Sequence, residues 1–153
     1  MLSNRGANGI DGTVSTAFGV ASAGTGPVAA LIGDVALLHD VGGLLAARRL
    51  GLPLVLVVLN NDGGGIFEFL PVAGERDMFE EHVATPHGID MAAVAALYGC
   101  ELERPADLAG LGAAVDAALA RPGTTLIEVR TDRAENLSLH RRATQAALAA
   151  IAV

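Results

Sequence analysis

The sequence predicts an α/β protein: a doubly wound, mostly parallel sheet with helices on both faces, in a single domain of 153 residues. Two short apolar runs, 27–33 and 54–59, end in turn residues, and the segment between them carries apolar residues at helical spacing. Continuous apolar runs of this length are typical of parallel strands that are buried on both faces. We therefore expect two buried strands joined by a helix over 35–50, in a right-handed βαβ unit.

The segment that precedes this unit is polar and rich in glycine. Within residues 3–12, Asp11 is placed to cap a helix that we predict over 13–23. The glycines suggest a backbone that approaches a ligand closely.

The second half of the chain continues the alternation of strands and helices. A charged segment over 72–86 comes first, and we expect it to be an irregular, mobile loop or lid. The elements predicted after it are a helix over 90–98, a strand over 100–103, a helix over 105–120, a strand over 124–130 and a helix over 136–151.

Composition excludes several classes of protein. The net charge of −7 argues against a nucleic-acid or membrane-surface partner, since both require a basic face. Cys100 is the single cysteine, which excludes a disulfide framework and favours a reducing, cytoplasmic location. No apolar run approaches the ~20 residues of a membrane-spanning helix, so we expect no membrane insertion.

Polar residues follow both strands of the βαβ unit. Asp34 comes after the first strand, outside the core as we expect, and Asn61, Asp62 and Gly63 follow the second. Because parallel strands end at the same edge of a sheet, these residues can be neighbours, and ligands of such sheets bind at that edge. Their oxygen atoms suit a Mg²⁺ ion that also holds phosphates, beside the N–H groups of the helix over 35–50. The same residues also fit a helix cap at Asp34 and a plain turn at 61–63.

Four segments of the chain carry a family resemblance. A Gly-Asp pair followed by Asn-Asn-Asp-Gly resembles the signature of thiamine-diphosphate-dependent enzymes in their C-terminal, diphosphate-binding domain. The segments 3–12, 33–40, 60–67 with Leu70-Pro71, and 85–88 together resemble the MenD-type family, the 2-succinyl-5-enolpyruvyl-6-hydroxy-3-cyclohexene-1-carboxylate synthases of menaquinone biosynthesis. The resemblance spans essentially the whole chain.

This resemblance implies a role for individual residues. It assigns Mg²⁺ or Mn²⁺ to Asp34, Asn61 and the main-chain carbonyl of Gly63. It assigns a substrate carboxylate to Arg5, and the wall over the second substrate to Phe67 and Leu70. The residues that it places near thiamine diphosphate are Ile10, Gly33, Asp34, Val35, Ala36, Asn61, Gly63, Gly64 and Ile66.

Val35 and Ala36 depart from the wider family, which usually has glycine and then often a hydroxyl residue at these positions. Main-chain N–H groups must therefore supply more of the hydrogen bonds that hold the diphosphate in this chain.

The resemblance also implies a function. The full enzyme would be a transferase that decarboxylates 2-oxoglutarate and adds the resulting carbanion to isochorismate. Its catalytic glutamate would lie in the pyrimidine-binding domain of a neighbouring subunit in a homo-oligomer. We expect that domain and a middle domain to be absent from this chain, so the chain contains no catalytic residue and is inactive alone. It would also expose an apolar patch around Ile66, Phe67 and Leu70.

Two other functions stay open at this point. The chain could belong to another thiamine-diphosphate decarboxylase or ligase with different substrates. It could also be a non-catalytic, flavodoxin-like binding module, because one fold hosts many functions.

Overall fold

The structure, a computed structural model, describes residues 1–4 and 7–151. The chain divides into two compact units, Met1–Asn60 with Gly88–Val129, and Asn61–His87 with Arg130–Val153. The first unit contains the sheet, and the second contains a series of short helical turns and one long helix.

The sheet has four parallel strands in the order β1-β2-β4-β3. The strands are β1 (Val28–Gly33), β2 (Leu54–Asn60), β3 (Glu101–Glu103) and β4 (Thr124–Arg130). Strand β1 pairs with β2 from Val28 opposite Leu54 to Gly33 opposite Leu59. The predicted α/β class with a parallel sheet is confirmed.

Helices cover both faces of β2. The helices of the first unit are α1 (Thr13–Ser22), α2 (Asp34–His39), α3 (Leu45–Leu50), α5 (Met91–Tyr98) and α6 (Leu108–Leu119). Leu54, Leu56 and Val58 pack in a cluster with residues of α1, α2, α3 and α5, whereas Val55 and Val57 pack with residues of α6. Fully burying one such side chain contributes about 1.5–3 kcal/mol to stability. Because its side chains are packed on both faces, β2 is the centre of the core.

Strand β1 is not buried on both faces, contrary to the prediction. Ile32 is buried, but Ala29, Leu31 and Gly33 alternate with it and are exposed, Leu31 to 68%. The physical reason is the position of β1 at the edge of the sheet, with one face away from the helices. An apolar composition alone does not distinguish an edge strand from a central one.

The helix expected over 35–50 is divided into three parts. Helix α2 ends at His39, a 3₁₀ turn follows over Val41–Leu44, and α3 completes the segment. The carboxylate of Asp40 accepts hydrogen bonds from the main-chain N–H of Ser15, at 2.7 Å, and from its Oγ, at 3.0 Å. This division brings the segment against α1.

Helix α1 begins without the predicted cap. Its first flanking residue, Gly12, has a left-handed φ of 59° and provides no side chain. The carboxylate of Asp11 instead accepts from the main-chain N–H of Asn8, at 2.9 Å. The prediction of Asp11 as the cap is wrong because its carboxylate closes the preceding loop.

The later elements of the first unit agree with the sequence to within one residue, except at one boundary. Asp90 caps α5 through the N–H of Ala92, and Gly99 ends it with φ 69°. Helix α6 begins at Leu108, later than expected, because Asp107 is its cap and accepts from Gly110.

In the second unit, the segment expected to be irregular forms short helices. Two 3₁₀ turns, Gly65–Phe69 and Pro71–Gly74, precede α4 (Arg76–Phe79), a π-helical turn (Glu80–Ala84) and, later, α7 (Arg133–Ile151). Phe79 and Ala84 are fully buried, which gives this segment a small apolar core. Helix α7 begins earlier than expected because Asp132 accepts a hydrogen bond from the N–H of Glu135, at 2.7 Å.

Within the described ranges, none of the helices combines the length and the apolar character needed to cross a membrane.

The contact between α1 and the divided helix predicts the effect of one glycine substitution. A Cβ at Gly43 would lie 2.8 Å from Ser15 Oγ and 3.2 Å from Val14 Cγ1. We expect Gly43→Ala to reduce the free energy of unfolding by about 1–3 kcal/mol, because the two segments must separate. Urea denaturation of the chain measures this change.

Gly42→Ala is the matched control. A Cβ at Gly42 would meet no heavy atom of the described residues within 4 Å, and its φ is not positive. Its stability should change by less than about 1 kcal/mol. Equal destabilisation by both substitutions would contradict the close approach to Ser15.

Candidate functional site

Asp34 lies at the carboxyl end of β1. It is the first residue of α2 and follows Gly33, the last residue that pairs with β2. Its side chain is not outside the core as expected, because Asp34 is only 2% exposed. The Oδ1 atom accepts a hydrogen bond from the N–H of Val35, at 2.8 Å. A buried carboxylate needs compensating hydrogen bonds or cations, and this N–H provides one.

The backbone around Asp34 leaves space on one side. A Cβ at Gly33 would meet no heavy atom of the described residues within 4 Å. Val35 is half-buried and Ala36 is buried. Helix α2 has only six residues, so fewer peptide dipoles align at this edge than the predicted helix would supply.

Asn60 and Asn61 stand at the end of β2. The Nδ2 atom of Asn60 donates to Oε1 of Glu128, at 2.7 Å, within the first unit. Asn61 is the first residue of the second unit, and its side chain occupies the space beside Gly65. A Cβ at Gly65 would lie 2.7 Å from Asn61 Nδ2. The glycine at 65 therefore makes room for the predicted amide ligand.

The three consecutive glycines pack tightly within the second unit. Gly63 has φ 129°, and a Cβ there would lie 2.2 Å from the carbonyl oxygen of Ala84. A Cβ at Gly64 would lie 2.6 Å from Phe67 Cδ2, and the N–H of Gly64 donates to Ala84 O at 2.7 Å. Packing against the π-helical turn therefore requires glycine at 63 and 64, whereas the side chain of Asn61 requires it at 65.

Asp62 and His87 join two segments of the second unit. Asp62 has a left-handed φ of 59°, and its Oδ1 accepts from the main-chain N–H of His87, at 3.1 Å. The Nδ1 atom of His87 lies 3.4 Å from the same oxygen. This contact supports the turn that was the alternative to a metal-binding loop.

The donor types fit a Mg²⁺ ion. The carboxylate of Asp34, the amide oxygen of Asn61 and the carbonyl of Gly63 are all hard oxygen ligands, which Mg²⁺ takes together with phosphates and water. The described residues contain no group of three or more His, Cys, Asp or Glu side chains that could hold a metal. The predicted ligand set contains one carboxylate and is not a cluster of this kind, so the Mg²⁺ site stays a prediction.

The predicted cofactor and substrate wall lies partly at the surface. Ile66, Phe67 and Leu70 are 73%, 39% and 50% exposed, so these three apolar side chains are exposed as predicted. Ile10 is half-buried. Arg5, the predicted ligand of a substrate carboxylate, lies outside the described residues.

Sequence reasoning missed a buried polar network in the first unit. Besides Asn60, Glu128 binds Arg104, whose Nε donates to Oε2 at 2.6 Å. The Nη2 atom of Arg104 donates to Oδ1 of Asp90, at 2.8 Å. These hydrogen bonds, to Glu128 first and to Asp90 second, raise the pKa of Arg104. A glutamate inside the apolar strand over 124–130 was the signal that could have revealed this network.

A second missed ion-pair group lies in the second unit. Nη2 of Arg133 donates to Oε2 of Glu80, at 2.8 Å, and Nη1 lies 3.7 Å from Oε1 of buried Glu68. The hydrogen bond to Glu80 is the main cause that raises the pKa of Arg133. The group joins the start of α7 to the short helical turns.

The single thiol is not poised for chemistry. Cys100 is partly buried, and burial raises its pKa to about 11. A thiol in this condition stays protonated at neutral pH and is a poor nucleophile or metal ligand.

The parallel sheet with a buried aspartate at its carboxyl edge places the chain among the α/β domains, whose ligands bind at that edge. The family model described as "Thiamine pyrophosphate enzyme, C-terminal TPP binding domain" matches residues 1–129. The chain belongs to this family, and the predicted family is confirmed.

Several curated relatives are 2-succinyl-5-enolpyruvyl-6-hydroxy-3-cyclohexene-1-carboxylate synthases. The one from Myxococcus xanthus is 51% identical over 144 residues, which are 93% of this chain and 24% of the relative. The one from Rubrobacter xylanophilus is 52% identical over 92% of this chain and 24% of the relative, and the one from Bacillus velezensis is 45% identical over 97% and 26%. The chain therefore spans about a quarter of the length of the curated relatives that it matches.

Solved structures agree on the fold. A benzoylformate decarboxylase from Polynucleobacter necessarius superposes with a TM-score of 0.62 over 83% of this chain and 24% of that one, at 24% identity. A thiamine diphosphate-dependent 4-hydroxybenzoylformate decarboxylase from Rhodococcus jostii RHA1 has a TM-score of 0.58 at 30% identity, over 69% of this chain and 20% of that one.

The packing of the glycine run predicts a large effect of Gly63→Ala. The new Cβ would overlap the carbonyl of Ala84, and alanine disfavours a φ of 129°. We expect the free energy of unfolding to fall by about 3 kcal/mol or more, with loss of amide protection over 80–84. Denaturation and hydrogen exchange measure these effects.

Gly74→Ala is the control for this substitution. A Cβ at Gly74 would meet no heavy atom within 4 Å among the residues described, and its φ is not positive. Protection over 80–84 should stay as in the unsubstituted chain. Normal protection in Gly63→Ala would show that the glycine run is not held against the π-helical turn.

Proposed function

We propose that this chain binds the diphosphate of thiamine diphosphate together with Mg²⁺, as part of a cytoplasmic transferase. The transferase would decarboxylate 2-oxoglutarate and add the product carbanion to isochorismate in menaquinone biosynthesis. The observation that carries the proposal is the buried carboxylate of Asp34 at the carboxyl end of β1, in a chain of this family. Ligands of open α/β sheets bind outside the carboxyl ends of the strands.

In this proposal, each ligand to the metal comes from the end of a strand. Asp34 would supply the charged ligand, and Asn61 and the carbonyl of Gly63 would supply neutral ones. The open space beside Gly33 supports a diphosphate close to the main chain there. An acidic protein of net charge −7 gains from such a cation, because Mg²⁺ offsets the repulsion between protein and diphosphate.

The remaining predicted residues would orient the reactants. The main-chain N–H of Ala36 would face the diphosphate, as would that of Val35, which in this structure donates to Asp34 Oδ1. Gly64 would lie beside the diphosphate. Ile10 and Ile66 would support the cofactor, which when bound supplies the electron sink for decarboxylation of a 2-oxo acid.

Three other residues would contact the substrates. Arg5 would bind a carboxylate of a substrate through two parallel hydrogen bonds. Phe67 and Leu70 would exclude water from the second substrate, and their exposure in this chain supports that role.

The proposal places the catalytic glutamate in a pyrimidine-binding domain of a neighbouring subunit. The two buried glutamates that the structure describes are Glu68 and Glu128, and each has an arginine partner. Both side chains therefore take part in ion pairs within this chain. This supports a catalytic glutamate that comes from another domain.

Another thiamine-diphosphate decarboxylase remains a second candidate. The 30% identity to the Rhodococcus jostii decarboxylase over 69% of the chain favours it. The identities of 45–52% to the synthases favour the first proposal more strongly.

The metal site is tested by Asp34→Asn, which keeps the shape of the side chain and removes its charge. We expect Mg²⁺-dependent affinity for thiamine diphosphate to fall at least about 100-fold, the upper end of the cost of losing an indirect metal partner. Calorimetric titration measures it for the chain mixed with the part of the Myxococcus xanthus synthase that this chain does not cover.

Asp40→Asn is the control, because the carboxylate of Asp40 binds Ser15. Asp40→Asn should change the stability of the chain. It should leave the affinity for thiamine diphosphate within about threefold of the unsubstituted value, a difference too small to indicate loss of a metal ligand. Unchanged affinity in Asp34→Asn would refute the metal-site assignment.

An activity assay tests whether this chain needs another domain for catalysis. We expect no decarboxylation of 2-oxoglutarate by this chain with saturating thiamine diphosphate and Mg²⁺, because the glutamate and the dry half of the site are missing. Adding the complementary part of the Myxococcus xanthus synthase should restore carbon dioxide release, and product formation with isochorismate.

Two results would contradict this expectation. Turnover by the chain alone would mean that it contains its own proton carrier. Turnover of benzoylformate instead of 2-oxoglutarate by the mixture would favour the second candidate, with the complementary part assayed alone as the control.

A further inference from the structure

Glu128 has an unusual environment for a charged residue. It lies in β4 with a side chain that is 0% exposed, next to the buried Ile127. Its two oxygens have separate partners: Oε1 accepts from Asn60 Nδ2 at 2.7 Å, and Oε2 accepts from Arg104 Nε at 2.6 Å. The carboxylate therefore joins the end of β2 to the segment that follows β3.

This network lies at the points where the chain leaves the first unit. The chain passes to the second unit after Asn60 and after Val129, and it returns at Gly88. Asn60 and Glu128 are at or next to two of these points, and Asp90, which binds Arg104, is close to the third. One connected set of side chains thus fixes three main-chain segments of the first unit.

Stability alone explains such an arrangement poorly. Burying a carboxylate such as that of Glu128 costs hydration that an ion pair with a half-exposed arginine does not fully repay, and apolar residues at such positions are often as stable or more so. Central strands of a parallel sheet usually carry apolar residues at such positions. A role other than stability must therefore account for the polar network. Holding the end of β2 in one conformation is such a role.

We propose that Glu128 is a positioning residue for the metal site. It fixes the side-chain amide of Asn60 and, through the main chain of Asn60, the position at which the next residue, Asn61, begins. The inference rests on the proposed function, because Asn61 is the amide ligand in that proposal. Asn60 donates its side-chain N–H to Glu128, so its amide cannot rotate without losing that bond. Residues that orient metal ligands indirectly cost about 10- to 100-fold in affinity when they are removed.

Glu128→Gln tests the inference. Glutamine has one acceptor and one donor group, so it cannot accept from both Asn60 and Arg104. We expect the Kd for Mg²⁺ at saturating thiamine diphosphate to rise about 10- to 100-fold. The KM for 2-oxoglutarate at saturating Mg²⁺ should stay unchanged. The protein is the chain mixed with the uncovered part of the Myxococcus xanthus synthase.

Glu103→Gln is the matched control. Glu103 also lies in a strand of the sheet and also binds an arginine, since Arg121 Nη2 lies 2.8 Å from Oε1. It should leave the Kd for Mg²⁺ unchanged. An effect of Glu128→Gln no larger than that of Glu103→Gln would overturn the inference.

A double-variant cycle separates positioning from general damage. If Glu128 acts through Asn60, Glu128→Gln should add little to the loss of Mg²⁺ affinity already present in Asn60→Ala. Additive losses would overturn the proposed path through Asn60. Thermal unfolding of each variant shows whether affinity changes without a matching change in stability.

Arg104→Gln covers the case in which Glu128→Gln does not fold. The side chain of Arg104 is 45% exposed, and its removal leaves the Asn60 hydrogen bond in place while releasing the other oxygen of Glu128. Mg²⁺ affinity should fall about tenfold, because a carboxylate held at one oxygen orients Asn60 less firmly, and an unchanged value would overturn the inference. If the unsubstituted mixture shows no Mg²⁺-dependent binding of thiamine diphosphate, the proposed function fails and the positioning role fails with it.

Discussion

The parallel pairing of β1 with β2 is the constraint on which the rest of this chain depends. Their register brings Gly33 opposite Leu59, so both strands end at one level of the sheet. Strand β2 is held in place by helices on both faces, whereas β1 lies at the edge. The positions of Asp34 and Asn60 follow from this register, because each comes directly after one member of the last residue pair, Asp34 as the first residue of α2 and Asn60 as the last residue of β2. A shift by one residue would reverse which side chains face the core.

Buried charge is distributed so that each buried glutamate has its own cation. Glu128 is paired with Arg104 in the first unit, and Glu68 lies near Arg133 in the second. Asp34 is the other buried carboxylate among the described residues, and its Oδ1 accepts a hydrogen bond from the N–H of Val35 at 2.8 Å. The two glutamates therefore have structural partners, and the carboxylate of Asp34 is a ligand type that suits a divalent cation.

The sequence predicted the elements well and several contacts poorly, for physical reasons. Apolar runs, an aspartate before a helix and a glycine after it are local signals, and the helix predicted over 90–98 is confirmed, with Asp90 as its cap and Gly99 at its end. The exposure of Leu31 depends on strand order, which composition does not contain. The division of the helix after His39 depends on Ser15, which is distant in sequence and binds Asp40. Contacts of this kind, between residues distant in sequence, decide where a helix ends in spite of its local helix propensity.

The motif after β2 shows how far a sequence signature supports a function. Asn60 binds Glu128, Asp62 binds His87, and the glycines from Gly63 onward pack against the π-helical turn or against neighbouring side chains. Much of the motif is thus explained by contacts within the chain, without a ligand. The case for a bound diphosphate must therefore come from other facts: the family to which the chain belongs, and a buried aspartate at the carboxyl edge of the sheet. A motif that the fold itself requires still serves function if it holds the ligand-binding loop in one conformation, because a preformed site avoids the cost of ordering on binding.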